Sequence, residues 1–559
     1  MSPDLAELPL ADGAAARAAA LGLRNRREQP PLGLGVLAHA ARHAAAEPAA
    51  PAVVDGGSVI GYAELVDRAA HLRDALAAAG TAAGDVVAAV GDRTADTVVV
   101  FLALEDLGAV YLPIDPDWPA RRVADVLTRS GADRLLDYCA PTGDGPRAPA
   151  AARAAAGETG VPVLPLPAYP GAAAAGLAAA ADERDRSLEP RYCIFTSGTT
   201  GRPKGALVEH RGMMNHLRAK VDDLGLTAGD RLAFTAPLVF DISIWQMLAP
   251  LLVGGTVVVV RQEELAFPPR LVRLLERTGT AVVELVPTVV GWIADAAERR
   301  PGTVLPQLRW LISTGEELHP GLAARMLAAA PHVRLLNAYG PTECSDDITH
   351  HEVTAADLDR PRLPVGAPVA NADLYLLVHE PEQDAWRAAE PDEAGELFVG
   401  GVVVGLGYLN DPENSGRAFH RDALDPGSPT GRLYRTGDLA RFEQGRVQYL
   451  GRVDRQVKVA GVRMELDEIE VVLRSHPAVD QCAVTVPVVA GRPELAAHVT
   501  LRTAAEPEEL RTFLAGALPE AMVPRQVTVL DAMPLTRNGK TDHRALQQLT
   551  VDAYARASV

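Results

Sequence analysis

Apolar positions recur along most of this chain with two alternating periods. From Ile60, the run I-G-Y-A-E-L-V-D-R-A-A-H-L-R-D-A-L places Leu65, Ala69, Leu72 and Leu76 on one helical face. Asp85–Val90 then reads as a strand and Thr97–Leu104 as a helix, with Gly91 and Asp92 between them. Leu107–Pro116 reads as a strand ending in a Pro-bounded loop. Further strand-like runs cover Arg231–Thr235, Thr256–Val260, Ala281–Val286, Trp310–Ser313 and Val333–Asn337, with helical stretches between them. Such alternation predicts an α/β architecture with largely parallel strands.

The pattern changes from about Gly366 to short strands separated by Gly/Asp/Asn turns, as in Glu396–Gly401 and Arg446–Gly451, which suits a smaller β-rich unit. The charged stretch Gly451–Gly461 reads as a linker, and the βα pattern beyond it is long enough for a separate small domain. Residues 1–35 are Ala-rich and read as an extension or peripheral helix. Residues 140–188, rich in Ala, Pro and Gly, read as a variable surface excursion with little that resembles a packed element.

Composition narrows the class. At 559 residues the chain needs two or more domains. It is 48% hydrophobic and 23% charged, the profile of a globular protein. The formal net charge of −18 argues against a general nucleic-acid binder and against a basic membrane-surface protein. Cys139, Cys193, Cys344 and Cys482 are scattered without C-x-x-C spacing, which argues against a disulfide framework or zinc site and fits a reducing cytoplasm. The N-terminus shows no secretory pattern, and no window is apolar enough to suggest a membrane span.

Candidate chemistry begins at Arg191–Gly205, R-Y-C-I-F-T-S-G-T-T-G-R-P-K-G. A short apolar run empties into hydroxyls and glycines that let backbone N–H groups converge on an anion. Thr196, Ser197, Thr199 and Thr200 add hydroxyls, Gly198 and Gly201 add freedom to turn, and Lys204 adds a charge. The alternative is a polar hairpin turn. A Walker loop is excluded, because Pro203 stands in place of its second glycine and Gly205 in place of its Ser/Thr.

T-S-G-T-T-G-R-P-K-G resembles the signature loop of the adenylate-forming superfamily, which includes acyl-CoA synthetases, luciferases and nonribosomal peptide synthetase adenylation domains. Seven further segments match it in order: Leu107–Pro116, Phe240–Gln246, Asn337–Glu343, Gly395–Asn410, Tyr434–Ala440, the linker G-R-V-D-R-Q-V-K, and Pro534–Asp542. The resemblance implies a core domain over residues 36–452, made of two α/β subdomains and a small β-rich one, followed by a small mobile α+β C-terminal domain over residues 453–559.

It also implies the reaction. A carboxylate attacks the α-phosphorus of ATP and expels pyrophosphate, and catalysis rests on neutralising charge. Thr196–Lys204 would hold phosphates, with Thr196 and Lys204 counted as catalytic. Glu343 would be the Mg²⁺ ligand and Thr342 a phosphate contact. Tyr339 would stack on adenine, beside Asn337, Ala338 and Gly340. Asp438 would accept the ribose hydroxyls, a role suited to two carboxylate oxygens, with Arg452 assisting. Asp454 would be the hinge, and Lys540 a mobile cation entering the site in one domain orientation.

Phe240-Asp241 resembles the amino-acid-activating branch, where the aspartate pairs with the α-ammonium. A fatty acid offers a buried aspartate no cation, which makes an acyl- or aryl-CoA ligase the weaker branch. The side-chain pocket maps onto Ile242, Trp245, Glu284, Ile312, Thr314, Gly315, Ala338, Asp346 and Asp347, with Asp241 and Lys540 completing the set.

Glu284 is anomalous in the apolar run A-V-V-E-L-V-P, where a charge needs a reason to be buried. With Asp346 and Asp347 it could place three carboxylates around the substrate side chain. The simplest partner is a cation, and the pattern resembles pockets for diaminobutyrate and ornithine; Trp245 argues for a short side chain. Two tensions stand against this. Consecutive strand residues face opposite ways, so Asp346 and Asp347 would not both point inward. Three converging carboxylates would keep one protonated. Serine or threonine is the alternative substrate, and a catalytically silent ATP-binding regulator is the alternative of another class.

After Asp542 no carrier-protein segment follows, so a free-standing enzyme is expected, delivering its product to the phosphopantetheine thiol of a carrier protein in trans. Pro412–Phe419 departs from the Ala-containing form common in enzymes that depend on an MbtH-like activator. Where many relatives read K-I-R-G, this chain has Lys458-Val459-Ala460-Gly461, so no contact by that arginine carries over.

Overall fold

The computed structural model describes residues 5–28, 31–139, 141–142, 145–146, 150–171, 184–197, 202–489, 491–534 and 541–557. The α/β expectation holds. Two largely parallel sheets carry the core. In one, Val86–Val90 lies between Val110–Ile114 and Arg134–Asp137, all parallel, and the sheet runs out through Pro190–Thr196 and Lys204–Glu209. In the other, Thr256–Val259, Arg231–Phe234, Val282–Leu285, Trp310–Ser313 and Arg334–Tyr339 run parallel in that spatial order. Most of their residues are buried, as expected where strands are covered on both faces by helices. Tyr62–Ala78, Ala95–Leu107 and Ile242–Leu252 supply buried residues to the shared core.

An antiparallel sheet built on Ala372–Glu380, Gly395–Gly401, Arg432–Glu443 and Arg446–Arg452 forms the β-rich unit. The N-terminal segment docks on it: Leu23–Arg24 pairs with Ala372–Glu380, and Leu8 and Ala18 pack against Tyr375 and Trp386. Beyond residue 453, Val479–Thr485, Ala496–Leu501 and Gln526–Val529 form a small sheet packed by helices Leu466–Arg474 and Pro507–Ala515.

Two expectations are corrected. Within residues 140–188, Ala150–Thr159 is a helix whose Ala152, Ala155 and Ala156 are buried beside helix Ala120–Ser130, and Val163–Pro165 joins a sheet edge. Alanines at i, i+3 and i+4 have too little apolar bulk to announce a core face, yet their small size permits close helix packing. The linker is also shorter than expected. Gln456–Val459 and Val462–Glu465 form a hairpin turned by Ala460 (φ 51°) and Gly461 (φ 79°). Two positive φ values at a two-residue turn match the twist of the strands.

Candidate active site

Helix Ile242–Leu252 sets the first anchor. Asp241 caps it, its carboxylate accepting from the Ile242 N–H at 3.0 Å. Asp241 is buried at the helix start, and burial raises its carboxyl above the usual range against the Thr342 hydroxyl, which lowers it. One turn along, Trp245 is fully buried.

The parallel strands carry further predicted pocket residues and Asn337, expected beside the adenine. Glu284 lies on Val282–Leu285, Ile312 on Trp310–Ser313, and Asn337 and Ala338 on Arg334–Tyr339; all four are buried. Thr314 is buried just beyond its strand, and Gly315 follows with φ 85°.

Asp346 and Asp347 are both buried, which resolves the first tension. They are not strand residues. Ser345 (φ 65°) and Asp346 (φ 95°) take left-handed conformations, breaking the alternation that would have turned one carboxylate outward. Gly340 makes the turn fit: a Cβ there would stand 2.0 Å from the Asp346 carbonyl oxygen.

Glu284 has buried partners within the protein that the sequence reading did not foresee. Trp245 Nε1 donates to Glu284 Oε2 at 2.5 Å. Lys220 Nζ stands 2.6 Å from Asp347 Oδ2, 3.6 Å from Glu284 Oε1 and 4.5 Å from the Trp245 ring centroid. The two acids therefore already hold a cation. His350 bridges from Asp223 (2.8 Å) toward Asp347 (3.7 Å), and His216 Nε2 lies 3.2 Å from Asp346 Oδ2.

These contacts sort the acids. Burial opposes ionisation of Asp347, but Lys220 outweighs it and holds the carboxyl below its usual range. Burial raises Glu284 to about 7, because Lys220 leans toward Asp347 and the Asp347 charge adds to the rise. Burial, then Asp347 and Asp241, push Asp346 well above the usual carboxylate range. Convergence thus disfavours ionisation of Asp346, the second tension foreseen in the sequence.

Lys220 and His216 were absent from the sequence reading, yet a signal existed. On helix His210–Leu224 they fall in the apolar stripe of Met213, Leu217, Val221 and Leu224, where a solvated charge does not belong.

At the phosphate end, Thr196 and Lys204 face each other in register across an antiparallel pair. Lys204 is buried with its ammonium 5.0 Å from the Tyr408 ring centroid, and burial lowers it below the usual range against Glu343's pull. Ser197 Oγ donates to the Arg463 carbonyl at 3.2 Å. Glu343 is buried, accepting from the Tyr408 hydroxyl at 2.8 Å and from Arg463 Nη1 at 2.9 Å. Burial would raise its carboxyl, but Arg463 and Lys204 overcome this and hold it at about 2. An ionised carboxylate in that surround fits a Mg²⁺ ligand.

Arg463 comes from the C-terminal hairpin, whose tip also reaches the core through the Gly461 N–H to Glu316 Oε1 at 2.8 Å. Nearby, Arg122 pairs with Glu468 at 2.5 Å, both buried.

At the nucleoside end, Asp438 accepts from the Tyr339 hydroxyl (2.5 Å) and from Arg452 Nη1 (2.7 Å). Arg452 also grips Asp454 through both Asp454 carboxylate oxygens, at 2.7 and 2.9 Å, tying the expected hinge residue to the expected ribose contacts. Gly198, Thr199, Thr200, Gly201 and Lys540 lie outside the described residues. Ile242 is half-buried beside Asp241, and Thr342 is buried one residue before Glu343.

These parallel-sheet ends, the buried Lys204 and Glu343 and the C-terminal hairpin are the features of an adenylate-forming core. The AMP-binding enzyme family model matches residues 40–409 and its C-terminal domain model residues 468–540, so the chain belongs to the AMP-binding enzyme family, a family of ligases. Within it, the chain is an adenylation domain. It is 34% identical over 511 residues to a plipastatin synthase of Bacillus subtilis, covering 90% of this chain and 19% of that protein. It is 36% identical over 502 residues to phosphinothricin tripeptide synthetase PhsB of Streptomyces viridochromogenes, covering 88% and 40%. The chain thus spans less than half the length of these relatives. The solved structure of holo-PA1221, described as a nonribosomal peptide synthetase protein with adenylation and PCP domains, superposes with a TM-score of 0.78 at 29% identity, covering 92% of this chain and 84% of that one. Among the described residues, no helix is long and apolar enough to cross a membrane.

Proposed function

We propose that this enzyme activates an amino acid with ATP to an aminoacyl-adenylate, releasing pyrophosphate, and then passes the aminoacyl group to the phosphopantetheine thiol of a carrier protein. The observation that carries the reading is the buried Asp241 at the start of helix Ile242–Leu252. An α-ammonium offers this carboxylate the cation that a simple fatty acid lacks.

Magnesium and the nucleotide would be held by Glu343, Lys204 and the Thr196–Lys204 loop at the phosphates, and by Asp438, Arg452 and Tyr339 at the nucleoside. Bound Mg²⁺ supplies charge stabilisation for the departing pyrophosphate. The chain's own part is positional: Asp241 orients the substrate, Tyr408 and Arg463 hold Glu343 ionised, and Lys204 presents a buried cation.

The side-chain specificity we favour is a short basic amino acid of the diaminopropionate, diaminobutyrate or ornithine type. The support differs from that in the sequence alone. Glu284 and Asp347 share one lysine, and among the described residues Asp346 Oδ2 is buried without a hydrogen bond. A substrate ammonium would supply the missing donors and charge. Asp454 is expected as the hinge and Lys540 as the mobile cation; Pro412–Phe419 weakens the case for an MbtH-like activator.

Amino-acid-dependent exchange of labelled pyrophosphate into ATP tests the reading. A panel including diaminopropionate, diaminobutyrate, ornithine, serine and threonine should give exchange, with a short basic amino acid best. No exchange above blank with any of them contradicts it.

A further inference from the structure

Lys220 is a fully buried cation in a substrate pocket, and no role assigned above uses its charge for the chemistry. Its surroundings form a box. Asp347 lies at 2.6 Å, Glu284 at 3.6 Å and the Trp245 ring at 4.5 Å, while Trp245 itself is fixed by its bond to Glu284. A cation between two acids and over an indole face is well satisfied. Relative to Lys220, Asp346 stands apart. It has no lysine or arginine within salt-bridge reach among the described residues, and its nearest basic group is His216, whose imidazole burial lowers to about 3 and so keeps neutral. Asp346 adjoins Asp347, the acid that Lys220 grips: a carboxylate oxygen of each lies within 4.8 Å of the other.

We propose that Lys220 is a specificity-determining residue whose ammonium occupies, between Glu284 and Asp347, the place that the terminal ammonium of a longer basic amino acid would fill, so that the pocket accepts basic side chains ending at Asp346. The inference rests on the amino-acid-activating reading given above. A short side chain extending from Asp241 delivers its ammonium to Asp346 Oδ2, which lacks a hydrogen bond in this buried setting. A longer chain carries its ammonium onward into Lys220, and two like charges in one buried site repel strongly. A hydroxyl gives Asp346 one hydrogen bond but leaves no positive charge to support its ionised form.

The donor atoms of His216, Asp346 and Asp347 also cluster within 4.8 Å, the arrangement of a metal site. The Lys220 ammonium already on Asp347 opposes a divalent cation there, so the geometry favours an organic ammonium.

The test compares wild type with Lys220→Met in pyrophosphate exchange, using diaminopropionate, diaminobutyrate, ornithine and lysine. Wild type should lose at least about ten-fold in kcat/KM between its best short substrate and lysine, mostly through KM. Lys220→Met should raise lysine or ornithine relative to diaminobutyrate by about ten-fold, because Glu284 and Asp347 then await a cation. An unchanged ranking in Lys220→Met overturns the proposal. So does wild type that uses lysine as well as diaminobutyrate, a result that needs no variant to fold. Wild type that exchanges with no amino acid at all instead removes the underlying functional reading.

Discussion

The molecule contains two buried charge clusters that solve the same problem differently. At the phosphate end, Glu343 is held ionised at about 2 by Lys204 from the core and Arg463 from the C-terminal hairpin. Part of its neutralisation arrives from another domain, so it depends on how that domain sits. At the pocket floor, Glu284, Asp346 and Asp347 are balanced, among the described residues, by groups of the core, chiefly Lys220, and that balance is incomplete. Among the described residues the first cluster is balanced within the protein, whereas the second is short of positive charge. Buried charge therefore marks a partner at both ends, supplied by a domain in one case and by substrate in the other.

Substitutions separate the two clusters. The largest effect is expected for Glu343→Gln, which removes the carboxylate proposed to hold Mg²⁺ and should lower kcat for exchange by about 10²–10³-fold for every amino acid, good and poor alike. Selective loss with basic substrates alone would mean that the clusters are not separate.

Next comes Asp346→Asn. Loss of a charge-assisted bond should cost a basic amino acid about ten- to a hundred-fold in kcat/KM and serine much less, measured by the same assay. Equal losses would detach Asp346 from the substrate side chain.

Arg122→Ala leaves Glu468 buried without its partner, at a cost of about 3 kcal/mol to domain docking. Tryptic cleavage around residues 452–456 should accelerate several-fold while pocket specificity stays fixed. Altered specificity would show that the floor also depends on the domain arrangement.

The smallest effect is expected for Ala460→Asn. Asparagine suits a left-handed turn position that costs alanine about 1 kcal/mol, so hydrogen exchange in the hairpin 456–465 should slow modestly with catalysis unchanged.

Much of this was legible in the chain. The strands Trp310–Ser313 and Val282–Leu285 announced themselves because fully covered strands read as continuous apolar runs. Asp241, Glu343 and Asp438 were singled out by motif, and the structure buries all three. Three features were not legible. Helix Ala150–Thr159 was hidden because alanine carries little periodic signal. The inward turn of both Asp346 and Asp347 depends on positive φ at Ser345 and Asp346, residues that alternation rules treat as ordinary. The partner of Glu284 lies 64 residues earlier in sequence, on a helix whose buried lysine resembles a surface charge unless the apolar stripe is traced through it. Local pattern reveals elements and anchors; which charges meet is decided by topology.

The central claim, that the substrate side chain supplies the charge missing from the pocket floor, is tested most directly by proton release on binding. Burial raises Glu284 to about 7 and Asp346 well above its usual range, so in the free site protons are held that a bound ammonium would expel. A raised free-site pKa lowered by binding means that affinity rises with pH until the carboxyl is already ionised, and then levels. Calorimetry at pH 7 in two buffers of different ionisation enthalpy should show about half a proton or more released on binding diaminobutyrate, and essentially none on binding serine. Proton uptake, or equal release with both amino acids, would contradict the account.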